Sequence, residues 1–398
     1  MFRRNSFLAA FLLVNSFIWY YMVRTLIGKA AFDFVANESV LIKGTYFSAV
    51  IVSSLFGAIL SGKISRAKIL RFWMVLGCIV SIIPLLFSNL SVNALSVVAL
   101  FLGLSFGIGM PSCLAFFAES VNLGKRGAVS GVILVAINLG AVVLTLLFDN
   151  LTIGFGISMI WRIIGLCVVF LLKPTSSKTN KMERVNSFRL ILQNRTFILY
   201  IIPWLIFCLV DRFERVYSGN FFEQNIFDLA LFIEPIVGII FVLIGGFFAD
   251  RIGRKRVLIY GFVALGIGYA SIGLAPYMDI ARYFYIFVDG IAWGIFMVIY
   301  MLILWGDFSV SRGIAEKYYT LGSIPFFLSD LVVLFLSPYV EKILGASAYA
   351  IFSLAAFFLF LAVIPLMYAP ETLPEKKIRE RELKQYIDKA KKTKEKYT

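Results

Sequence analysis

Long apolar runs, broken by short polar and glycine-rich beads, dominate the chain from end to end. Twelve runs fall near 6–27, 40–62, 71–88, 94–118, 127–148, 153–172, 196–217, 226–249, 256–275, 281–306, 318–340 and 344–369. A span of lipid needs roughly 20 apolar residues. None of the runs alternates with a period of two, so each predicts a helix rather than a barrel strand. In lipid, helices and closed barrels are the structures that satisfy every backbone polar group. The pattern therefore predicts an all-α membrane protein with twelve transmembrane helices. The first run follows a basic start, "MFRRN", and stays bulky to its end, so it reads as a span and not as a cleaved leader.

Composition agrees with the pattern. Of 398 residues, 60% are hydrophobic and 15% charged, against about 45–50% and about 25% in soluble domains. The net charge of +15 raises nucleic acid as a partner, but its placement points elsewhere. With both termini on one side, that side holds 30 of the 38 Lys and Arg. This is the positive-inside signature of a multi-pass protein in the cell membrane with N- and C-termini cytoplasmic. No basic groove with interleaved aromatics is present, so no nucleic-acid partner is expected. The absence of His excludes imidazole catalysis and imidazole metal ligation. Cys78, Cys113, Cys167 and Cys208 lie singly in apolar runs, which is no metal or disulfide pattern. No P-loop occurs. No cofactor, metal or catalytic residue is expected, and the chain does not read as an enzyme.

The longest polar linker, 173–195, divides six spans from six. Residues 1–172 and 196–370 are expected to form two six-helix bundles, and 371–398 a basic cytoplasmic tail that touches lipid. A shift of 188 positions aligns the halves: Ala58 meets Gly246, Lys63 meets Arg251, Arg66 meets Arg254 and Glu119 meets Asp307. One offset relating charged beads in two separate loops marks an internal repeat, the common building plan of transporters.

The bead "GGFFADRIGRKR", 245–256, resembles the loop signature of the major facilitator superfamily, roughly G-x-x-x-D-R-x-G-R-[KR]. Gly246, Asp250, Arg251, Gly253, Arg254 and Lys255 match it. "FGIGMPSCLAFFAESVNLGKRG" resembles the family's span 4–5 signature through Gly107, Gly109, Glu119, Arg126 and Gly127, and "APETLPE" resembles the end of span 12 in sugar and metabolite porters. The resemblance covers essentially the whole chain. It implies the superfamily's fold of two six-helix pseudo-repeats and a monomeric secondary transporter working by alternating access. It implies a small-molecule solute as partner, with protons as the coupling ion. Departures are informative. The first-half loop "SGKISRAK" has Gly62 where Asp250 has its acid, and the polar residues typical of sugar porters in spans 4, 5 and 7 are missing. A hydrophobic-compound exporter of the same fold, and a non-transporting sensor with a transporter-like fold, are the competing readings.

The charged beads carry specific expectations. Asp250 caps the start of span 5 near Gly127. Arg254 pairs with Asp307, and Arg66 or Lys63 pairs with Glu119, closing the cytoplasmic face. Within the membrane, ionisable residues default to functional hypotheses. Asp211, Glu234, Asp289 and Asp330 fall in one layer, roughly 9–15 Å below the outer helix ends at 1.5 Å per residue. They are candidates for proton coupling or substrate contact, with Asp211 alternatively part of an outer ion-pair cluster with Arg212 and Arg215. Asn15, Asn138 and Trp293 complete the candidates. Arg162 is expected to snorkel to the interface rather than anchor an anion, and Arg24 and Lys43 to serve as interfacial anchors.

Overall fold

The computed structural model describes residues 4–86, 91–148, 150–172, 188–308, 314–344 and 348–373. Twelve helices are long and apolar enough to cross a membrane. Spans 1–6 are Arg4–Ala30, Ala36–Ser61, Arg66–Leu86, Val92–Ser120, Leu123–Leu146 and Leu151–Val169. Spans 7–12 are Arg195–Val216, Gln224–Ile252, Arg254–Leu274, Asp279–Asp307, Ala315–Ser337 and Ala350–Tyr368. The twelve predicted runs are all present; all but the last start one to five residues earlier than predicted, most end one to three residues earlier, and no strand occurs among the described residues. Most of the proposed linker, 173–187, and nearly all of the proposed tail, 374–398, lie outside the described residues.

The helices pack as two groups. Span 1 lies against spans 4, 5 and 6, span 2 against span 4, and span 3 against spans 4 and 6. In the second group span 7 lies against spans 11 and 12, span 8 against span 10, and span 9 against spans 10 and 12. The groups meet where span 2 and span 4 touch span 11, and where span 5 touches spans 8 and 10. Residues on the outside are apolar and exposed, including Phe56, Phe72, Val132, Leu146 and Phe357. An apolar exterior around a helical interior is what a lipid-facing bundle requires.

Small residues set the close contacts. Lipid tails are as apolar as Leu, so van der Waals fit decides helix association. Gly103 and Gly107 of span 4 lie on span 2, where an added Cβ would strike the backbone at Tyr46 and Val50. Gly290 and Gly294 of span 10 repeat this packing on span 8, against the backbone carbonyls of Glu234 and Gly238. The two halves thus share internal architecture as well as sequence spacing.

Span 10 widens into a π-helical stretch over Met297–Ile303, all of it buried. Wider turns strain the regular ladder and are common at functional sites. One carbonyl in this stretch, at Leu302, accepts a hydrogen bond of 2.7 Å from the Tyr319 hydroxyl. Tyr300, within the stretch, stacks on Trp204 of span 7 with ring centroids 4.6 Å apart. The aromatics Trp204, Trp305, Tyr285 and Tyr300 are all fully buried packing groups.

Gly107→Val is expected to overpack the span 2–span 4 contact and lower stability by about 1–3 kcal/mol. Thermal unfolding of the purified variant in detergent measures the shift. Substitution of half-buried Gly156, where an added Cβ meets nothing within 4 Å, is the control expected to change little.

Candidate functional site

One face of the bundle carries both described chain ends, and is called here the terminal face; the other is the distal face. At the terminal face the two halves are tied by charged groups. Span 5 begins at the loop after Asn122, and its first amides have no partner within their own helix. Asp250, near the end of span 8, supplies one: its carboxylate accepts from the Gly127 amide at 2.9 Å and from the Ala128 amide at 3.0 Å. A carboxylate there also faces the positive end of the helix dipole. Both helices must come close for this to happen. A Cβ on Gly127 would collide with the Gly246 carbonyl, and one on Gly246 with the Gly127 carbonyl.

Around this contact lies a buried network. Arg254 reaches Asp307 through Nε at 3.0 Å, Asp250 through Nη2 at 3.2 Å, and the Leu123 carbonyl of the other half at 3.0 Å. Arg126 donates to Asp307 and to the Ala118 carbonyl, so Asp307 holds one cation from each half. Arg66 grips Glu119 with two bonds of 2.6 and 2.8 Å. Of these contacts the Asp250 cap, Arg254–Asp307 and the Glu119 pair were expected from the sequence, with Arg66 and not Lys63 as the partner of Glu119; Arg126 had no partner assigned. Lys63 is exposed and makes no ion pair with a described residue. Arg251 points outward and lies over the Phe247 ring, 4.1 Å from its centroid.

Two partners were not foreseen. Glu316, fully buried at the start of span 11, accepts from Arg66 at 2.6 Å and ties span 3 to the second half. Glu371, just past span 12, caps span 9 by accepting from the Arg254 and Lys255 amides at 2.8 and 3.1 Å. Lys255 in turn donates through Nζ to the Met367 carbonyl at 2.8 Å. Gly253 makes that cap possible: its φ of 105° suits glycine, and a Cβ there would strike the Glu371 carboxylate.

Toward the distal face the intramembrane acids gather around the arginines of span 7. Asp211 pairs with Arg212 at 2.6 Å and with Arg215 at 3.4 Å. Asp330 pairs with Arg212 at 2.9 Å and, across the divide, with Arg24 of span 1 at 2.8 Å. Arg215 also lies within electrostatic reach of Glu214, Asp289 and Glu234. Glu234 and Asp289 form no ion pair or hydrogen bond with a described residue, and Asp289 is buried. The four acids therefore do share one region, as their depth along the helices implied.

Other candidates lie elsewhere. Asn15 faces span 6, donating to the Trp161 carbonyl at 2.6 Å, and its Oδ1 lies against Gly165. Asn138 donates to Leu134 of its own helix at 2.9 Å. Trp293 packs against Gly238 of span 8. None of these three lines the distal cavity described below. Arg162 does not snorkel. It is 0% exposed between spans 1, 3 and 6, with its guanidinium 4.9 Å from the Trp19 ring and 4.5 Å from the Trp73 ring. Cation–π contact and one bond to Ser16 hold it there, which the all-apolar surroundings in sequence gave no means to foresee. Arg24 is likewise a cross-half ion-pair partner and not an interfacial anchor.

Two helical groups, tied at one face by buried charge, define a multi-pass membrane protein with a secondary-transporter fold. A family model described as Major Facilitator Superfamily matches residues 6–308, and the chain belongs to that superfamily. Among solved structures, the chain is similar to the proton:xylose symporter XylE bound to 6-bromo-6-deoxy-D-glucose. The TM-score is 0.66 at 15% identity, covering 92% of this chain and 96% of that one. It is similar also to the human organic anion transporter MFSD10 (TETRAN), with TM-score 0.65 at 15% identity, covering 92% and 99%. At such identities the likeness is one of fold. Over 72 residues the chain is 35% identical to a Na(+), Li(+), K(+)/H(+) antiporter of Planococcus maritimus. That match spans 18% of this chain and 16% of the relative.

Removing the Asp250 charge should loosen the terminal face. Thr320, fully buried there, donates to the Ser54 carbonyl across the divide and serves as a reporter. With the four native Cys replaced by Ser, maleimide labelling of Thr320→Cys is expected to rise roughly three- to tenfold on Asp250→Asn, the range of a lost helix-end charge. Glu316→Gln is expected to raise it less. Unchanged labelling in both would show that these bonds do not hold the face shut.

Proposed function

We propose that the protein is a secondary active transporter that moves a small organic solute across the cell membrane by alternating access, coupled to protons. Both termini lie in the cytoplasm in this reading, so the tied terminal face is the cytoplasmic gate. Gly246, Asp250 and Arg254 of the span 8–9 loop form the stronger half of that gate, with Arg126, Gly127 and Asp307. Arg66, Glu119 and Glu316 form the weaker half.

The observation that carries the reading is the asymmetry between faces. The terminal face is sealed by several cross-half bonds, while the distal side leaves a charged cavity between spans 1, 2, 7 and 11. Rocking of the two groups needs bonds that can be exchanged, and ion pairs at helix ends can bias such an equilibrium without a covalent lock. The fold likeness to XylE and the short match to a proton-exchanging antiporter support a carrier that uses protons. Glu234 and Asp289 are the coupling residues in this reading. Both lack a bonded cation among the described residues, so neither is held ionised by a salt bridge, and desolvation lets such a carboxyl take up and release a proton.

The test is reconstitution. Proteoliposomes bearing the wild-type protein are expected to accumulate at least one solute of a mixed library when a pH gradient is imposed. Glu234→Gln or Asp289→Asn is expected to cut gradient-driven accumulation at least tenfold while leaving solute exchange at equal pH intact. Wild-type-like gradient dependence in both variants would remove them from coupling. Absence of flux for every solute would overturn transport in favour of a sensor.

A further inference from the structure

The distal cavity has a volume of about 300 Å³, near the lower end of ordinary ligand pockets. Its lining is unusual for a membrane interior. Arg24, Lys43, Arg212 and Arg215 face it, and Asp330 is the single acid among the lining residues. Asp211, behind the lining, pairs with both Arg212 and Arg215, so the lining and Asp211 together set four cations against two carboxylates.

Asp330 is poorly satisfied by this arrangement. Both Arg24 and Arg212 converge on its Oδ1, at 2.8 and 2.9 Å. Its Oδ2 is buried and has no hydrogen-bond partner among the described residues. A buried carboxylate oxygen left without a donor costs free energy, and planar guanidinium groups favour two-pronged contact with a carboxylate. The cavity also holds an unused donor. Tyr46, 1% exposed, lines it, and its hydroxyl has no partner among the described residues. Ile27, Phe47, Val333 and Leu334 supply apolar walls.

We infer that this cavity binds a small organic anion, a carboxylate or its like, and that Asp330 is the internal stand-in the anion displaces. The inference rests on the transporter reading and names the chemical class of its cargo. Arg24 and Arg212 take the anionic group, Tyr46 donates to it, and the apolar walls receive the carbon skeleton. Arg24 comes from the first half, while Arg212 and Asp330 belong to the second. Replacing Asp330 by a ligand therefore exchanges the cross-half ion pair at the distal face for a ligand bridge. Binding and the distal contact between halves become one event.

The test is binding without flux, so that its failure is distinct from failure of transport. Purified full-length protein is titrated with succinate, glutarate and benzoate, and with succinamide and benzamide as uncharged counterparts. Saturable thermal stabilisation is read at constant ionic strength. At least one acid is expected to stabilise the protein, and its amide is not. Tyr46→Phe, which removes one unpartnered hydroxyl and little volume, is expected to weaken binding about fivefold, the scale of one net hydrogen bond. Arg24→Gln is expected to weaken it at least tenfold. Asp330→Asn is expected to tighten it severalfold, because the competitor is gone, whereas a merely structural ion pair predicts no gain. Lys43→Gln, at the rim, covers the case that Arg24→Gln does not fold, with an expected loss of two- to fivefold. Equal effects of acids and amides, or unchanged affinity in Tyr46→Phe together with Asp330→Asn, would overturn the site. Stabilisation by phosphatidylglycerol in nanodiscs that none of the acids competes away would assign the cavity to a lipid headgroup and overturn the cargo.

Discussion

A carboxylate held against the open start of a helix from the other half is the contact on which the closed terminal face depends. Asp250 is buried, so its charge needs compensation, and it receives two amide bonds, the helix dipole and Arg254 together. Loss of one partner of such a group leaves an uncompensated charge in a low dielectric, which is why buried pairs act as sharp two-state elements. The same bond forces Gly127 and Gly246 into backbone contact. Close approach there brings Arg126 to Asp307 and Arg254 to Leu123. Remove the carboxylate, and the reason for the surrounding ties to meet is gone.

The internal repeat shows how the other side of the face meets the same need by different means. A shift of 188 carries Asp250 onto Gly62, which has no acid, and carries Ala128 onto Glu316. Ala128 is one of the two residues whose amides Asp250 caps. In the second copy of the contact the acid has moved from the loop to the helix it would have capped, and it bonds the cation Arg66 instead of an amide. The electrostatic requirement, one buried carboxylate at the junction of halves, is kept. What changes is geometry: a helix start bonded by its backbone on one side, a side-chain ion pair on the other. More bonds cross the divide near Asp250 than near Glu316, so the two sides of the face are unequal in strength.

The fold was legible because lipid imposes a length on every helix, and the charged beads were legible because their motif is local. Arg254 could be paired with Asp307 from the repeat, and Glu119 with Arg66 or Lys63. Azimuth was not legible. Spans 1, 4, 9 and 12 are apolar all round, so no face of them announces which neighbour it meets. That is why Asn15 was open to a cavity role and turned out to face span 6. Arg162 was assigned to the interface because it lies in the outer half of span 6, which the family resemblance makes peripheral. Glu316 had a signal that went unused, its register with Ala128. Glu371 had none, since the acid within the "APETLPE" end lies near the span 9 start only in the folded chain.

The two halves do not contribute equally to the distal region. Asp211, Glu234, Asp289 and Asp330 all come from the second half, as do Arg212 and Arg215. The first half offers the cavity Arg24 and Lys43 but no acid among the lining residues, and Tyr46, whose hydroxyl has no partner among the described residues. An ion pair confined to one half moves with that half and is indifferent to rocking. The Arg24–Asp330 pair crosses the divide and is stretched or broken when the halves separate at this face. A group that competes for either member therefore acts on the balance between faces, whereas a group that binds Asp211 or Arg215 alone does not. In the proposed alternating-access cycle, the division of charge between halves is thus what would let chemistry in the cavity be felt as motion of the whole molecule.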